Sequence, residues 1–270
     1  LRANGAIALV PTMGALHEGH LALVRKAKEL APRVAVSIFV NPAQFGPNED
    51  LDAYPRRLEA DSALLESEGV DLLWAPAADE IYPPGFATKV SVAGVSESLC
   101  GAARPGHFDG VATVVLKLFN EVEPDIAVFG EKDWQQLAVI RRMARDLDLT
   151  HPRAEHVVGV PTVREADGLA MSSRNAYLSP EQREKAASLP RAMKFAIARI
   201  EAGEPVLDGL DGLEAALLSS GFDSIDYTEV ADAESLALVK ELGSAPARLF
   251  VAARIGGTRL IDNMPIGEAE

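Results

Sequence analysis

Two histidines three residues apart, His17 and His20, stand where an apolar run gives way to an amphipathic one. The run Ala6-Ile7-Ala8-Leu9-Val10 reads as a strand, and Leu21 to Leu30 reads as a helix, so Pro11 to His20 is the turn between them and the first helical residues. A helix start offers unpaired backbone N–H groups and the positive end of a dipole, which suits phosphate. Gly19 removes a side chain where a nucleotide would lie against the backbone. Two imidazoles beside such a start form a cluster of donors for a phosphate chain. The same pair is compatible with a metal site, although one Cys and five His leave few further ligands and no zinc spacing follows. A helix opening with two solvated histidines is the third reading, and the segment alone leaves all three open.

Two other places repeat the logic. Gly130-Glu131-Lys132-Asp133 follows the apolar run Ile126 to Phe129 and precedes a helical segment, so Lys132 can meet phosphate as a point charge. The alternative is an exposed lysine in a tight turn. Gly168-Leu169-Ala170-Met171-Ser172-Ser173-Arg174-Asn175 sets two hydroxyls and a guanidinium after an apolar triplet, either a phosphate-wrapping loop or a polar linker. Gln44, Gln136, Arg104 and His107 carry no local signal and read as ordinary surface residues.

The elements that must position these groups alternate. Strands are expected at Val34 to Val40, Asp71 to Trp74, Ile126 to Phe129 and His156 to Val160. Helices are expected at Arg57 to Glu68, Val111 to Val122 and Trp134 to Asp146, with a long Pro- and Gly-rich segment at 75–110. This pattern predicts an α/β fold with a doubly wound parallel sheet, whose ligands lie beyond the carboxyl ends of the strands. The segments following Met13, Asn41, Gly130 and Pro161 would converge there. From about residue 163 the pattern changes. Ser179-Pro180-Glu181-Gln182 is a strong helix start, with one helix expected to Ala202 and another over Leu210 to Leu218. Strands near Ile225 to Val230, Arg248 to Ala253 and Arg259 to Ile261 complete a smaller α+β domain. The expected boundaries are 1–162 and 163–270.

Composition narrows the function. The chain has 270 residues, 48% of them hydrophobic, enough for a sizeable core in one or two domains. Forty acidic against 26 basic residues give a formal charge of −14, which argues against a general nucleic-acid binder and requires any anion site to gather its cations locally. No apolar run approaches a membrane span. Cys100 cannot form an internal disulfide, so the cytoplasm is the expected compartment. The chain starts at Leu1 without a signal-peptide pattern and without an initiator Met, so upstream residues are expected.

Five blocks in order carry a resemblance: Val10 to His20, Ser37-Ile38-Phe39-Val40-Asn41-Pro42 with Gln44-Phe45, Arg104-Pro105 with His107-Phe108 and Gly110-Val111, Phe129 to Asp133 with Gln135-Gln136, and Met171 to Asn175. Together they closely resemble the pantothenate synthetase (pantoate–β-alanine ligase) family, from about Leu1 to Ile266, with Val251 to Arg254 and Leu260 to Asn263 resembling its C-terminal domain. The resemblance implies a Rossmann-like nucleotidyltransferase sheet in an ATP- and pantoate-binding domain, followed by an α+β lid. It implies ATP as substrate, pantoyl adenylate as intermediate, and AMP, pyrophosphate and pantothenate as products.

By the same resemblance His20 is the proton donor, with His17 and Lys132 as further catalytic groups. Met13, Gly14, Ala15, Leu16, His17, Glu18, Gly19, His20, Gly130, Glu131, Lys132, Asp133, Val163, Met171, Ser172, Ser173 and Arg174 match the family's ATP-binding segments. Gln44 and Gln136 match its pantoate-binding glutamines, and Gln44 also its β-alanine site. Mg²⁺ is implied without an assignable ligand beyond Asp133 as a guess, and a homodimer is implied. Two departures stand out: family members begin further upstream with a strand and helix absent here, and Thr150 to Ala154 is longer than usual. A nucleotidyltransferase that keeps the nucleotide in its product, and a non-catalytic ATP- or RNA-contacting regulatory domain, are the competing readings. The paired glutamines oppose the first, and the charge together with the set of candidate groups opposes the second.

Overall fold

Strand β1 (Ile7–Thr12) is buried from Ile7 to Val10 because it is the central strand of its sheet. The computed structural model describes residues 1–47 and 49–267, and the chain divides into two compact units. The first comprises Leu1–Ser96 and Arg104–Thr162, and the second Glu97–Ala103 and Val163–Glu270, of which 268–270 lie outside the described residues. The excursion Glu97–Ala103 was not foreseen from a single boundary at 162/163; it includes the short helix α4 (Cys100–Ala103).

In the first unit α1 (Glu18–Leu30), β2 (Arg33–Ile38), α2 (Leu58–Ser67), β3 (Leu72–Trp74) and α3 (Ala78–Ile81) follow β1. After the excursion come α5 (His107–Val122), β4 (Ile126–Gly130), α6 (Trp134–Asp146) and β5 (Val157–Val160). The five strands are parallel and ordered β3-β2-β1-β4-β5, the doubly wound sheet that the alternation predicts. Ala8, Val10, Val34, Val36 and Val128 share one face with Leu23, Val24 and Ala27 of α1 and Leu65 of α2. Phe129 takes the opposite face and meets Phe119 of α5 edge to face, with ring centroids 6.4 Å apart. Both faces are covered, which is why these strands read as continuous apolar runs.

The strand order reverses between β1 and β4. There β1 is in register with β4 only at Ala8 and Leu9, while it pairs with β2 over all six of its residues. Past Leu9 no pairing joins the two strands, and the segments leaving Thr12 and Gly130 follow their carboxyl ends on either side of this reversal, where sheets of this type take their ligands.

In the second unit α7 (Pro180–Ala186), α8 (Ser188–Glu201) and α9 (Val206–Ser219) cover an antiparallel sheet of β6 (Ser224–Asp232), β7 (Ala247–Ile255) and β8 (Thr258–Ile266). Leu249, Val251, Ala253 and Ile255 alternate toward Leu189, Met193, Leu213 and Leu217. The single helix expected from Ser179 to Ala202 is two, breaking at Ala187. Pro190 supplies the reason, since it has no N–H for the carbonyl of Ala186. Helix α5 starts at His107 rather than Val111, after Gly106 turns the chain at φ 83°. Among the described residues no helix is long and apolar enough to cross a membrane.

Helix α5 lies against the Pro42–Gln44 turn at Gly110, where a Cβ would stand 2.3 Å from the Ala43 carbonyl oxygen and 2.7 Å from the Gln44 nitrogen. Both obstacles are backbone. Gly110→Ala is therefore expected to destabilise the protein by about 1–3 kcal/mol in denaturant unfolding, the usual cost of overpacking. An unchanged unfolding midpoint would show that the turn gives way freely.

Candidate active site

The turn after β1 is held from below by a carboxylate. Asp61 of α2 is buried and accepts hydrogen bonds from Ala15 N at 2.8 Å and Leu16 N at 2.9 Å. Gly14 and Ala15 take positive φ (80° and 50°), and a Cβ on Gly14 would stand 3.0 Å from Asp61 Oδ2. Thr12 Oγ1 accepts from Gly14 N and donates to Ser37 O, tying the turn to β2. Sequence reading overlooked Asp61; an acid one helical turn before buried Leu65 was the available signal.

Helix α1 opens with the two histidines capping each other. His17 is the N-cap, and its Nδ1 accepts from Gly19 N at 3.2 Å, while His20 Nδ1 accepts from His17 N at 3.3 Å. An imidazole that accepts at Nδ1 carries its proton on Nε2, so both rings hold a donor on the side away from the helix start. The rings lie 4.1 Å apart between centroids. Burial, then the His17 ring, hold His20 down at about 3, with Lys132 adding to the effect and Asp133 opposing it. Neutral His20 is thus a hydrogen-bond donor through the physiological range, a state that suits a group placed to polarise an oxyanion. Lys132 and Asp133 follow the end of β4, with Lys132 Nζ 3.7 Å from the Asp133 carboxylate. A Cβ on Gly130 would meet nothing within 4 Å, so the chain is open where β4 ends.

Gln44 joins this group by contact, its Nε2 lying 3.2 Å from Met13 Sδ. Its position depends on Asn41, which is buried and spends every polar atom on this corner. Asn41 Nδ2 donates to Gln44 Oε1 and to Gly110 O, each at 3.1 Å, while Oδ1 accepts from Ala43 N and Tyr82 OH. Arg104 and His107, expected as surface residues, are instead largely enclosed and hold the Gln44 backbone. His107 Nδ1 donates to Gln44 O at 2.9 Å, and Arg104 approaches the same oxygen at 3.3 Å. Burial, then the Arg104 charge, hold His107 at about 4, so its Nε2 is free of a proton and accepts from Arg104 at 3.0 Å. On α6 Gln136 is partly buried, whereas its neighbour Gln135 is buried and donates to Val95 O at 3.0 Å.

The remaining predicted residues belong to the second unit. Met171 N donates to Val163 O at 3.0 Å, and Arg164 pairs with Ala170 across a short antiparallel bridge, so these two segments are neighbours. Ser172 Oγ accepts from Arg174 N at 3.3 Å and caps the 3-10 turn Ser173–Tyr177. Asn175 anchors that turn to Glu165 and Ala170 O, both at 3.1 Å. No three His, Cys, Asp or Glu come together as a cation cage among the described residues.

A family model described as Pantoate-beta-alanine ligase matches residues 1–265. The chain is 65% identical to the pantothenate synthetase of Novosphingobium aromaticivorans over 261 residues, covering 97% of this chain and 91% of that one. It is 60% identical to the pantothenate synthetase of Rhizorhabdus wittichii over 270 residues, all of this chain and 94% of the relative. Among solved structures, pantothenate synthetase from Thermus thermophilus superposes with a TM-score of 0.91 at 51% identity, covering 97% of this chain and 94% of that chain. Pantoate-beta-alanine ligase from Francisella tularensis, complexed with Beta-gamma ATP and beta-alanine, gives 0.82 at 35% identity, with 98% and 92% covered.

Two measurements follow from this geometry. His20 and His107 have folded values of about 3 and about 4 against an ordinary 6.5. The unfolded chain therefore binds more protons than the native one below 6.5. The stability these neutral rings contribute is complete above that pH and is lost as pH falls through the window toward 4 and 3. His20→Gln combined with His107→Gln is expected to flatten the acid-side fall of the unfolding free energy; an unaltered slope would show that the rings are charged in the native state. For Asp61, replacement by Asn keeps an acceptor but loses one of two, and removing an acceptor from a buried N–H costs about 1–3 kcal/mol. Asp61→Asn should lower the unfolding free energy by about that amount in denaturant unfolding, and an unchanged midpoint would refute its role in setting the turn.

Proposed function

The chain belongs to the pantoate–β-alanine ligase family and joins pantoate to β-alanine; we propose that it does so through pantoyl adenylate, on the residues assembled at the ends of β1 and β4. In the first step a pantoate carboxylate oxygen attacks the α-phosphorus of ATP, the bond to the β-phosphate oxygen breaks, and pyrophosphate leaves. In the second, the β-alanine amine attacks the acyl carbon, the acyl–oxygen bond to AMP breaks, and the amine proton is released.

The observation that carries this reading is the mutual capping of His17 and His20 after β1, with Lys132 in the turn after β4, the neighbouring strand. Two Nε2–H donors and an ammonium are fixed before substrate arrives, so they stabilise charge developing at the α-phosphate without reorganisation. The neutral state of His20 supports a donor of hydrogen bonds; its assignment as a proton donor requires the arriving phosphate charge to raise its pKa. Met13 to His20 and Gly130 to Asp133 hold the nucleotide in the first unit; Val163 and Met171 to Arg174 are read as ATP-binding on the family resemblance alone. Gln44 and Gln136 read pantoate's hydroxyls and carboxylate, and Gln44 also meets β-alanine.

Mg²⁺ accompanying ATP needs one or two carboxylates besides phosphate oxygens, not a protein cage. Asp133, which follows β4 next to Lys132, is the carboxylate we would assign to it, and the cation would neutralise phosphate charge. We further read the protein as a cytoplasmic homodimer that binds neither nucleic acid nor membrane, on the family resemblance, the single cysteine and the formal charge of −14.

With pantoate alone the protein is expected to catalyse ATP–pyrophosphate exchange, and with β-alanine to release AMP and pyrophosphate in equal amounts. Release of ADP and phosphate would mean attack at the γ-phosphorus and would overturn the adenylate route. His17→Ala, His20→Ala and Lys132→Ala should each slow exchange on the order of 10²-fold, about 3 kcal/mol, as for loss of an oxyanion donor. Gln136→Ala should raise the KM for pantoate about tenfold while sparing ATP, since a substrate hydroxyl loses its partner. Equal losses for both substrates would exclude Gln136 from pantoate recognition.

A further inference from the structure

We propose that Arg104 receives the carboxylate of β-alanine, and that Glu49, which grips this guanidinium in the present structure, is an internal competitor that the substrate displaces. The inference rests on the reading of Gln44 as the residue where pantoate and β-alanine meet. An amine placed to attack the acyl carbon leaves its own carboxylate trailing in a chain of formal charge −14, and a carboxylate removed from water needs a cation. Lys132 stands with His20 and Asp133, where phosphate is expected. The cation touching Gln44 is Arg104, whose NH2 lies 3.3 Å from Gln44 O.

The guanidinium already shows the complex that such a carboxylate would make. Arg104 Nε donates to Glu49 Oε1 at 2.6 Å and NH2 donates to Oε2 at 2.5 Å, a two-pronged pairing. Its orientation does not depend on Glu49. NH1 donates to His107 Nε2, and His107 in turn donates from Nδ1 to Gln44 O, so the plane stays fixed when the carboxylate partner changes. Glu49, by contrast, comes from irregular chain between the Pro42–Gln44 turn and α2, where its N–H makes one turn bond to Gly46 O. Its side chain is 26% exposed against 15% for Arg104. Burial works against its charge, but the Arg104 hydrogen bonds and charge hold it ionised at about 2. The exchange is anion for anion and leaves the charge of the subsite unchanged.

Steady-state pantothenate formation and pantoate-dependent ATP–pyrophosphate exchange together test this. Arg104→Gln is expected to raise the KM for β-alanine about tenfold or more, since a charged hydrogen-bond pair is lost. Exchange, which needs no β-alanine, should lose much less than ligation at low β-alanine, its own smaller loss coming from the contact of Arg104 with Gln44 O. Arg104→Lys, which keeps the charge and loses the fork, should fall between the two and serves if the glutamine variant fails to fold. Glu49→Gln should lower the β-alanine KM several-fold without changing that for pantoate, and Arg104→Gln should narrow the preference for β-alanine over propylamine. An unchanged β-alanine KM in a folded Arg104 variant would overturn the proposal. So would equal loss of exchange and ligation, or a raised β-alanine KM in Glu49→Gln, each of which marks a structural ion pair. Absence of exchange in the unaltered protein would count against the adenylate route alone, because the KM comparison is read from pantothenate.

Discussion

Strand β1 is hydrogen-bonded on both sides, to β2 along its whole length and to β4 over Ala8 and Leu9, and this fixes where everything else can go. A central strand buried on both faces can slip neither in register nor in direction. The chain leaving Thr12 must therefore enter the crevice at the point where the strand order reverses, and so must the chain leaving Gly130. His17 and His20 reach the crevice from one strand end, Lys132 and Asp133 from the other. The proposed chemistry draws on segments more than a hundred residues apart in sequence.

A sheet alone would leave the loops loose, and buried polar hubs fix them. Asp61 gathers Ala15 N and Leu16 N, and Asn41 gathers the Gln44 side chain, Gly110 O, Ala43 N and the Tyr82 hydroxyl. Each hub is buried and has its hydrogen bonds made, so displacing either loop would strand polar groups away from water. Preorganisation of this kind lets donors meet a transition state without first being arranged.

Electrostatics follow the same plan on a chain that repels anions overall. Positive charge is concentrated at Lys132 and Arg104, while His20 and His107 are kept neutral by burial and by neighbouring groups. Neutral imidazoles in a fixed tautomer donate or accept at a known nitrogen whatever the ambient pH near neutrality. That division gives the site direction without the cost of burying several cations together.

The sequence by itself determined the elements and the family. Apolar runs located every strand of the parallel sheet, and glycine, charge and histidine at the strand ends located the turns, because these are local properties of covalent order and side-chain type. Five ordered blocks were enough to indicate the family, and the family match bears this out. Arg104 and His107 were illegible because a surface arginine and one that clasps Gln44 O look alike until α5 is laid on the Pro42–Gln44 turn. Asp61, Asn41 and the excursion of Glu97–Ala103 into the second unit were hidden for the same reason. A hydrogen bond between residues 46 or 69 positions apart has no signature in local composition, and only the tertiary structure decides which distant N–H a buried carboxylate or amide will satisfy.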